Sequence, residues 1–471
     1  MVLKTKLEVI SQEDYQMIHD ASIKILEETG VAFHSEEALE ICKHHGARVL
    51  GNTVYFTRKM VEEAIKECPK TFSWTARNTE KSVTVGEGFL IQPNLGPVFI
   101  QDLDRGKRAA TLEDFSNIQK LCQYSDVVHL VGSIPVNPGD VPQNEKHLHI
   151  IYETLKNTDK PVIGHTGYRH EARETLDMVE IALGRKLDHG HYVGVAINPL
   201  SPLSYSRDAL ETIMEYANRN QIVFLAPCIM AGVSGPITLL GTALLQNVEI
   251  LAGLTFIQLI NPGNPVLYSI ASNTAYMKTG SFIGGNPEGL LMDIINLQMG
   301  LDYYKVPTRI LAGITDAKVV DCQAGYETMQ NLMLGVLGGG HIVVQCMGVL
   351  DAIMTTSYEK FIIDEELIKR MIRIKQGVEV SEEELAIAAI QELGHKGSYL
   401  THESTFEKFR SRWMPTISTC ESYMDWEAAG SKDVVVRANR KYKKILGEAP
   451  ATLLEKDLEK SLKEYMNIVK K

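Results

Sequence analysis

The sequence predicts an α/β protein whose main body is a (β/α)8 TIM barrel, with an N-terminal α/β cap and a C-terminal helical extension. Eight short apolar runs recur: Phe89–Asn94, Val127–Ser133, Pro161–His165, Tyr192–Asn198, Ile222–Pro227, Pro265–Ala271, Arg309–Ile314 and His341–Gln345. Seven of them are bounded by a polar or Gly/Pro turn and then a helix-length amphipathic segment, the pattern of parallel βα units. With their helices the eight units span roughly 290 residues, the size of one closed barrel. Chemistry in such barrels sits at the C-terminal ends of the strands, so the search for function narrows to eight places.

Residues 1–88 precede the first barrel strand and read as the cap. Ser11-Gln-Glu-Asp opens a helix with a capping signal, and Ile18, Ile23, Ile25 and Leu26 supply its apolar side. Gly30 ends it, and Ser35 starts a second helix with Ala38, Leu39 and Cys42 inward. Val54-Tyr-Phe is a short strand and Thr57 caps a third helix. The barrel occupies 89–375. Thr111-Leu-Glu-Asp starts one of its helices with acids near the positive end. Asn286-Pro287-Glu288 places an N-cap, a first-turn Pro and an acid in order. Asp321 or Thr315 caps the helix before Leu334, and Gly338-Gly-Gly lets the backbone pass tightly into the last strand. Beyond residue 355 the pattern is mainly helical, with Leu367, Met371 and Ile374 in register, and 376–471 reads as helices packed on the barrel.

Composition removes several function classes. The 471 residues are 44% hydrophobic, enough for a large core, and the net charge of -11 argues against a nucleic-acid partner. The seven cysteines are scattered, odd in number and free of C-x-x-C, which suits a reducing cytosol rather than a disulfide framework or structural zinc. No cationic and then apolar leader opens the chain, and the apolar stretch Ile237–Ile260 carries Gln246, Asn247 and Glu249. It reads as a buried barrel helix rather than a membrane span. A cytoplasmic protein without membrane contact is therefore expected.

The strand ends are rich in neutral polar residues: Asn94, Ser133, His165, Asn198, Pro227-Cys228, Ser272-Asn273 and Gln345-Cys346. A glycosidase needs two acids there, and a metallohydrolase needs clustered His and Asp. Asp316 is the one acid placed to face a ligand. Tyr168, Tyr205, Tyr276 and Phe282 lie just beyond strand ends. Aromatic faces attract a quaternary ammonium at about 0.5–2 kcal/mol each. An alkylammonium donates no hydrogen bond, so a ring cage with one carboxylate suits it. Other signals are weak. His165 and His170 straddle a strand–loop boundary, and His147 and His149 point apart on a helix. Cys228 and Cys346 have no base nearby in sequence and read as small buried hydrophobes. No metal site is expected.

Several motifs also resemble one family. The stretch Ala312-Gly-Ile-Thr-Asp-Ala-Lys-Val-Val-Asp-Cys-Gln-Ala-Gly-Tyr-Glu327 resembles a segment of the trimethylamine methyltransferase superfamily. So do Gly348-Val-Leu-Asp, Ser357-Tyr-Glu-Lys, Asp364-Glu, Leu400-Thr-His-Glu-Ser-Thr, Trp413-Met-Pro and Trp426-Glu-Ala-Ala-Gly. Gly96-Pro97 and the run Asp102–Asp114 match near the start. The resemblance implies a barrel that moves a methyl group from a methylamine to the cobalt of a separate corrinoid protein. In archaeal members acting on trimethylamine, pyrrolysine stands at a barrel strand end that falls near Gly313. Ordinary residues fill this chain, so it resembles the non-pyrrolysine branch, which demethylates quaternary amines such as glycine betaine, proline betaine, carnitine or γ-butyrobetaine.

Chemistry agrees with that division. A quaternary ammonium already holds a neutral tertiary amine as leaving group, so attack on its methyl carbon needs no general acid. Desolvation and orientation suffice. The expected substrate is a small betaine, glycine betaine or proline betaine being favoured. Tyr205, Tyr276 and Asp316 are expected around the cation, and His165, Asn198 and Gln345 at the carboxylate, with Asn94 and Asn273 as further pocket residues. No catalytic residue is assigned. The chain lacks a D-x-H-x-x-G cobalt-ligating motif, so the corrinoid (cobalamin) should come on a partner protein docked over the barrel mouth, and the enzyme is expected to be a homo-oligomer. The rival readings are a non-catalytic betaine-binding barrel and a metal-dependent barrel lyase or hydrolase.

Overall fold

The computed structural model describes residues 7–395 and 397–470. Eight parallel strands form one sheet: β1 (Leu90–Ile91), β2 (Val131–Gly132), β3 (Val162–Ile163), β4 (Val193–Ile197), β5 (Ile222–Leu225), β6 (Val266–Ile270), β7 (Thr308–Leu311) and β8 (Ile342–Val344). Ladders run β1–β8–β7–β6–β5–β4–β3–β2. The ring closes between β1 and β2 without a ladder. The His129 and Leu130 N–H groups donate to the Ile91 carbonyl at 3.0 and 3.1 Å, and Ile91 N–H donates to His129 Nδ1 at 3.1 Å. Each apolar run of the sequence thus holds one strand, trimmed at its ends.

One helix follows each strand: α1 (Leu112–Tyr124), α2 (Lys146–Asn157), α3 (Arg169–Leu183), α4 (Arg207–Asn218), α5 (Leu239–Ile260), α6 (Pro287–Gln298), α7 (Cys322–Leu337) and α8 (Tyr358–Gln376). Their starts are set locally. Thr111 and Asp114 form a reciprocal capping box on α1, Asn286 caps α6 ahead of Pro287, and Asp321 rather than Thr315 caps α7. Among the described residues, α5 is the one helix long and apolar enough to cross a membrane, and most of it is buried inside the protein.

The interior of the barrel is filled from its N-terminal end. The strands Phe72–Trp74 and Val83–Val85 pair antiparallel, and their Phe72, Trp74 and Val85 join Leu90, Leu130, Ile163, Phe224, Leu267 and Ile342 in one buried cluster. Gly194 in β4 makes room for this plug. A Cβ there would come within 2.6 Å of both Phe224 and Trp74. Burying a side chain of the size of Phe or Leu contributes about 1.5–3 kcal/mol. Any cavity within the barrel is therefore confined to its C-terminal end.

Of the 1–88 segment expected as a cap, the pair Phe72–Trp74 and Val83–Val85 thus enters the barrel, while the earlier elements and the C-terminal helices pack on its outside. In the cap, Val31–Phe33 pairs antiparallel with Thr53–Tyr55 and parallel with Ser204–Tyr205, beyond β4. A second small sheet lies at the C-terminal rim. Phe99–Asp102 pairs antiparallel with Gly106–Ala109 and parallel with Thr355–Ser357, so the loops after β1 and β8 are stitched together. At the far end α9 (Val434–Glu448) lies on α8, with Tyr358 and Tyr442 stacked at 4.9 Å between ring centres. Helix α10 (Lys456–Val469) reaches α3, where Tyr465 donates to Asp177 at 2.9 Å.

Candidate active site

A cavity of about 290 Å3 opens at the C-terminal end of the barrel, lined from β1, β2, β3, β4, β5, β6, β7 and β8. Three of the residues expected from the sequence line it: His165, Asn198 and Gln345. Burial pushes the His165 imidazole down to about 4, and neighbouring His147 and Lys146 push the same way, so the ring is neutral at physiological pH. Its Nδ1 has no partner. Asn198 donates to the Ala226 carbonyl at 2.6 Å and to Cys228 Sγ at 3.2 Å. Gln345 braces the wall instead of waiting for ligand. Its amide donates to the Leu95 carbonyl at 2.8 Å and accepts from Leu95 N–H at 3.2 Å.

The other five expected residues lie elsewhere, which corrects the predicted aromatic cage. Tyr205 is fully buried in the seam with the cap, packed on Phe33, and donates to the Glu249 carbonyl at 2.8 Å. Tyr276 stands on a hairpin turned out to solvent, with Lys278 over its ring. Asp316 spends both oxygens on the backbone N–H groups of Gly284 and Gly285, each at 2.9 Å. Asn94 is buried between Thr356 and Met347 N–H, and Asn273 accepts from the N–H of Thr274. Of the other aromatic candidates, Tyr168 is exposed against His170. Tyr168 and Tyr276 stand on loops that have turned outward, whereas Tyr205, Asp316, Asn94 and Asn273 are held away from the cavity by partners of their own.

Two lining groups were not anticipated in this role. Cys228 opens on the cavity, although burial pushes its thiol up to about 11. Arg309, inside β7, is 1% exposed and lies at the cavity wall. Its Nε donates to Gln92 at 2.8 Å and its Nη1 to Ser269 at 2.7 Å, both neutral, and Nη2 has no partner. Burial lowers its pKa to about 10, which leaves it charged at neutral pH. The signal was present in the sequence as a lone cation inside an otherwise apolar strand.

The rim is built by long-range bonds. Glu327 on α7 accepts from Thr315 Oγ1 at 2.6 Å, Asp316 N–H at 2.8 Å and Gln323 at 3.0 Å, which shapes the loop after β7. A Cβ at Gly313 would lie 2.4 Å from Cys346 Cα, so β7 meets β8 there with no space for a side chain. Asp351, Ala352 and Ile353 all have positive φ, 77° at Ile353, which is costly for a β-branched residue and brings Ile353 to the cavity. Among the described residues no three His, Cys, Asp or Glu side chains are grouped to hold a metal ion.

The loop after β4 rests on a buried acid. Glu249 accepts from Ser201 Oγ at 2.7 Å and from Leu203 N–H at 2.8 Å. Burial outweighs both bonds and pushes its carboxyl up from 4.5 to about 7. The native state therefore favours the protonated form. Its stabilising contribution is full below about 4.5 and is lost as pH rises through about 7. Glu249→Gln should remove this loss and gain about 3 kcal/mol at pH 8 relative to pH 4.5, read as a flatter stability-versus-pH curve in denaturant unfolding. Parallel curves for the two proteins would contradict the assignment.

The family model described as trimethylamine methyltransferase (MTTB) matches residues 2–471. A glycine betaine methyltransferase of Desulfitobacterium hafniense (strain Y51) is 35% identical over 468 residues, covering 98% of this chain and 97% of that protein. A proline betaine:corrinoid methyltransferase of Eubacterium limosum is 32% identical over 424 residues, covering 87% and 86%. The crystal structure of the Methanosarcina barkeri monomethylamine methyltransferase (MtmB) superposes with a TM-score of 0.53 at 12% identity, covering 95% of this chain and 89% of that one. That likeness speaks for the barrel fold.

Proposed function

This chain belongs to the trimethylamine methyltransferase (MTTB) family, and from that premise we propose that it moves a methyl group from a small quaternary amine to the Co(I) of a corrinoid held by a separate protein. Glycine betaine or proline betaine is the favoured substrate class, in keeping with the relatives of those names. One observation carries the reading: the cavity is closed below, and no carboxylate is among the residues that line it. Its imidazole is neutral and its thiol protonated at pH 7. Such a wall suits a reaction that moves no proton. The C–N bond breaks, its electron pair stays on nitrogen as a neutral tertiary amine, and the methyl carbon bonds to the cobalt nucleophile. What the protein supplies is water exclusion and aim.

The rim supports a docked partner. Large apolar side chains stay exposed on successive βα loops, among them Leu200, Val233, Ile237 and Met277. Such surface around a pocket mouth marks a protein contact. All seven cysteines are unpaired, in keeping with a reducing cytosol. The test is a panel of quaternary amines with Co(I) cobalamin, followed by the absorbance of methyl-cobalt. A betaine should react. Thermal stabilisation by a betaine with no methyl-cobalt formed from any amine would instead mark a binding protein.

A further inference from the structure

We infer that Arg309 is the carboxylate anchor of the cavity, and that it makes the protein select quaternary amines bearing a carboxylate over cations that bear none. The guanidinium is buried, and no acid pairs with it among the described residues. Its two partners, Gln92 and Ser269, are neutral, and Nη2 is left without any. The Gln92 Nε2, on the amide that holds Arg309, is likewise unpartnered and buried. Buried cations are ordinarily paired, because an uncompensated charge in a dry interior is costly. Arg309 lines a cavity with Asn198 and Cys228, so an anion entering there meets the missing charge. The planar guanidinium fork matches a carboxylate, and in a cavity closed below, with the guanidinium itself buried, their attraction is screened much less than at the surface.

The same charge fixes polarity. A zwitterionic betaine seats its carboxylate toward Arg309 and its N-methyl groups away from it, toward the mouth where a cobalt nucleophile arrives. A cation without a carboxylate meets only repulsion. Arg309 then acts as a specificity and positioning residue for the proposed methyl transfer. The inference rests on that reading for what happens to the ligand, but not for the anchoring itself.

Two measurements separate the claims. Cys228 opens on the cavity, whereas Cys322 and Cys420 are exposed elsewhere on the chain and serve as internal controls. The ratio of iodoacetate to iodoacetamide labelling, read by peptide mass, should be about tenfold higher at Cys228 than at the controls. Arg309→Lys should keep most of this preference and Arg309→Met should lose it. Glycine betaine should protect Cys228, and choline should not. Equal ratios at the three cysteines of the wild-type protein would overturn the anchor, even if Arg309→Met fails to fold. In methyl transfer, kcat/KM for glycine betaine should exceed that for betaine amide, a cation in which a neutral amide replaces the carboxylate, by about a hundredfold, and Arg309→Met should erase the difference, chiefly through KM. An unchanged ratio in that variant would also overturn it. Anchoring in the labelling assay without any methyl transfer would sink the enzymatic reading and leave the anchor standing.

Discussion

Ala196→Phe is expected to lower kcat/KM for methyl transfer on the order of a thousandfold while leaving the protein folded. Ala196 lies within β4 and faces the cavity beside Thr166, whose hydroxyl donates to the Ala196 carbonyl at 2.6 Å. A benzyl group there occupies the volume that the substrate needs. Because it enters existing space, it adds contacts instead of forcing neighbours apart, and the melting temperature should move by only about 3 °C. Kinetics and thermal unfolding on one preparation check both halves. Undiminished turnover by a folded variant would move the chemistry out of this cavity.

Asp364→Ala should produce the largest loss of stability. Lys360 on α8 is 1% exposed and donates to both Asp364 oxygens and to Thr328 Oγ1, each at 2.8 Å. Asp364 also accepts from Gly348 N–H at 2.7 Å, at the exit of β8. Removing the acid leaves a buried ammonium uncompensated, which costs about 3–5 kcal/mol. Replacing both partners, Lys360→Met with Asp364→Leu, removes the charges together and should recover about 2 kcal/mol of that loss in denaturant unfolding. A single variant as stable as the wild type would show that this pair does not hold β8 in place.

The barrel was legible in the sequence because parallel strands buried on both faces read as near-continuous apolar runs, as at Ile222–Leu225 and, but for Ser269, Val266–Ile270. The rim sheet was not. Phe99–Asp102 and Gly106–Ala109 are short and half polar, and the first of them pairs with a segment some 250 residues away. Site residues at strand ends, such as His165 and Asn198, fell where expected because the last strand residues still point along the barrel. Tyr205 and Tyr276 did not, since distance along the chain says nothing about which way a loop turns. Asp316 was legible as a strand-end acid, but its partners, Gly284 and Gly285, come from the preceding βα loop. Arg309 was hidden by averaging: one cation in an apolar strand leaves the strand reading intact, yet among the described residues it is the only formal charge on the cavity wall.

The proposed reaction delivers a cation's methyl carbon to an external cobalt from a dead-ended pocket. Its most direct test is a single turnover with glycine betaine and stoichiometric Co(I) corrinoid, counting dimethylglycine against methyl-cobalt formed. One tertiary amine per methyl-cobalt, both absent when the protein is omitted, is the expected result. Intact betaine, or dimethylglycine released without methyl-cobalt, would contradict it.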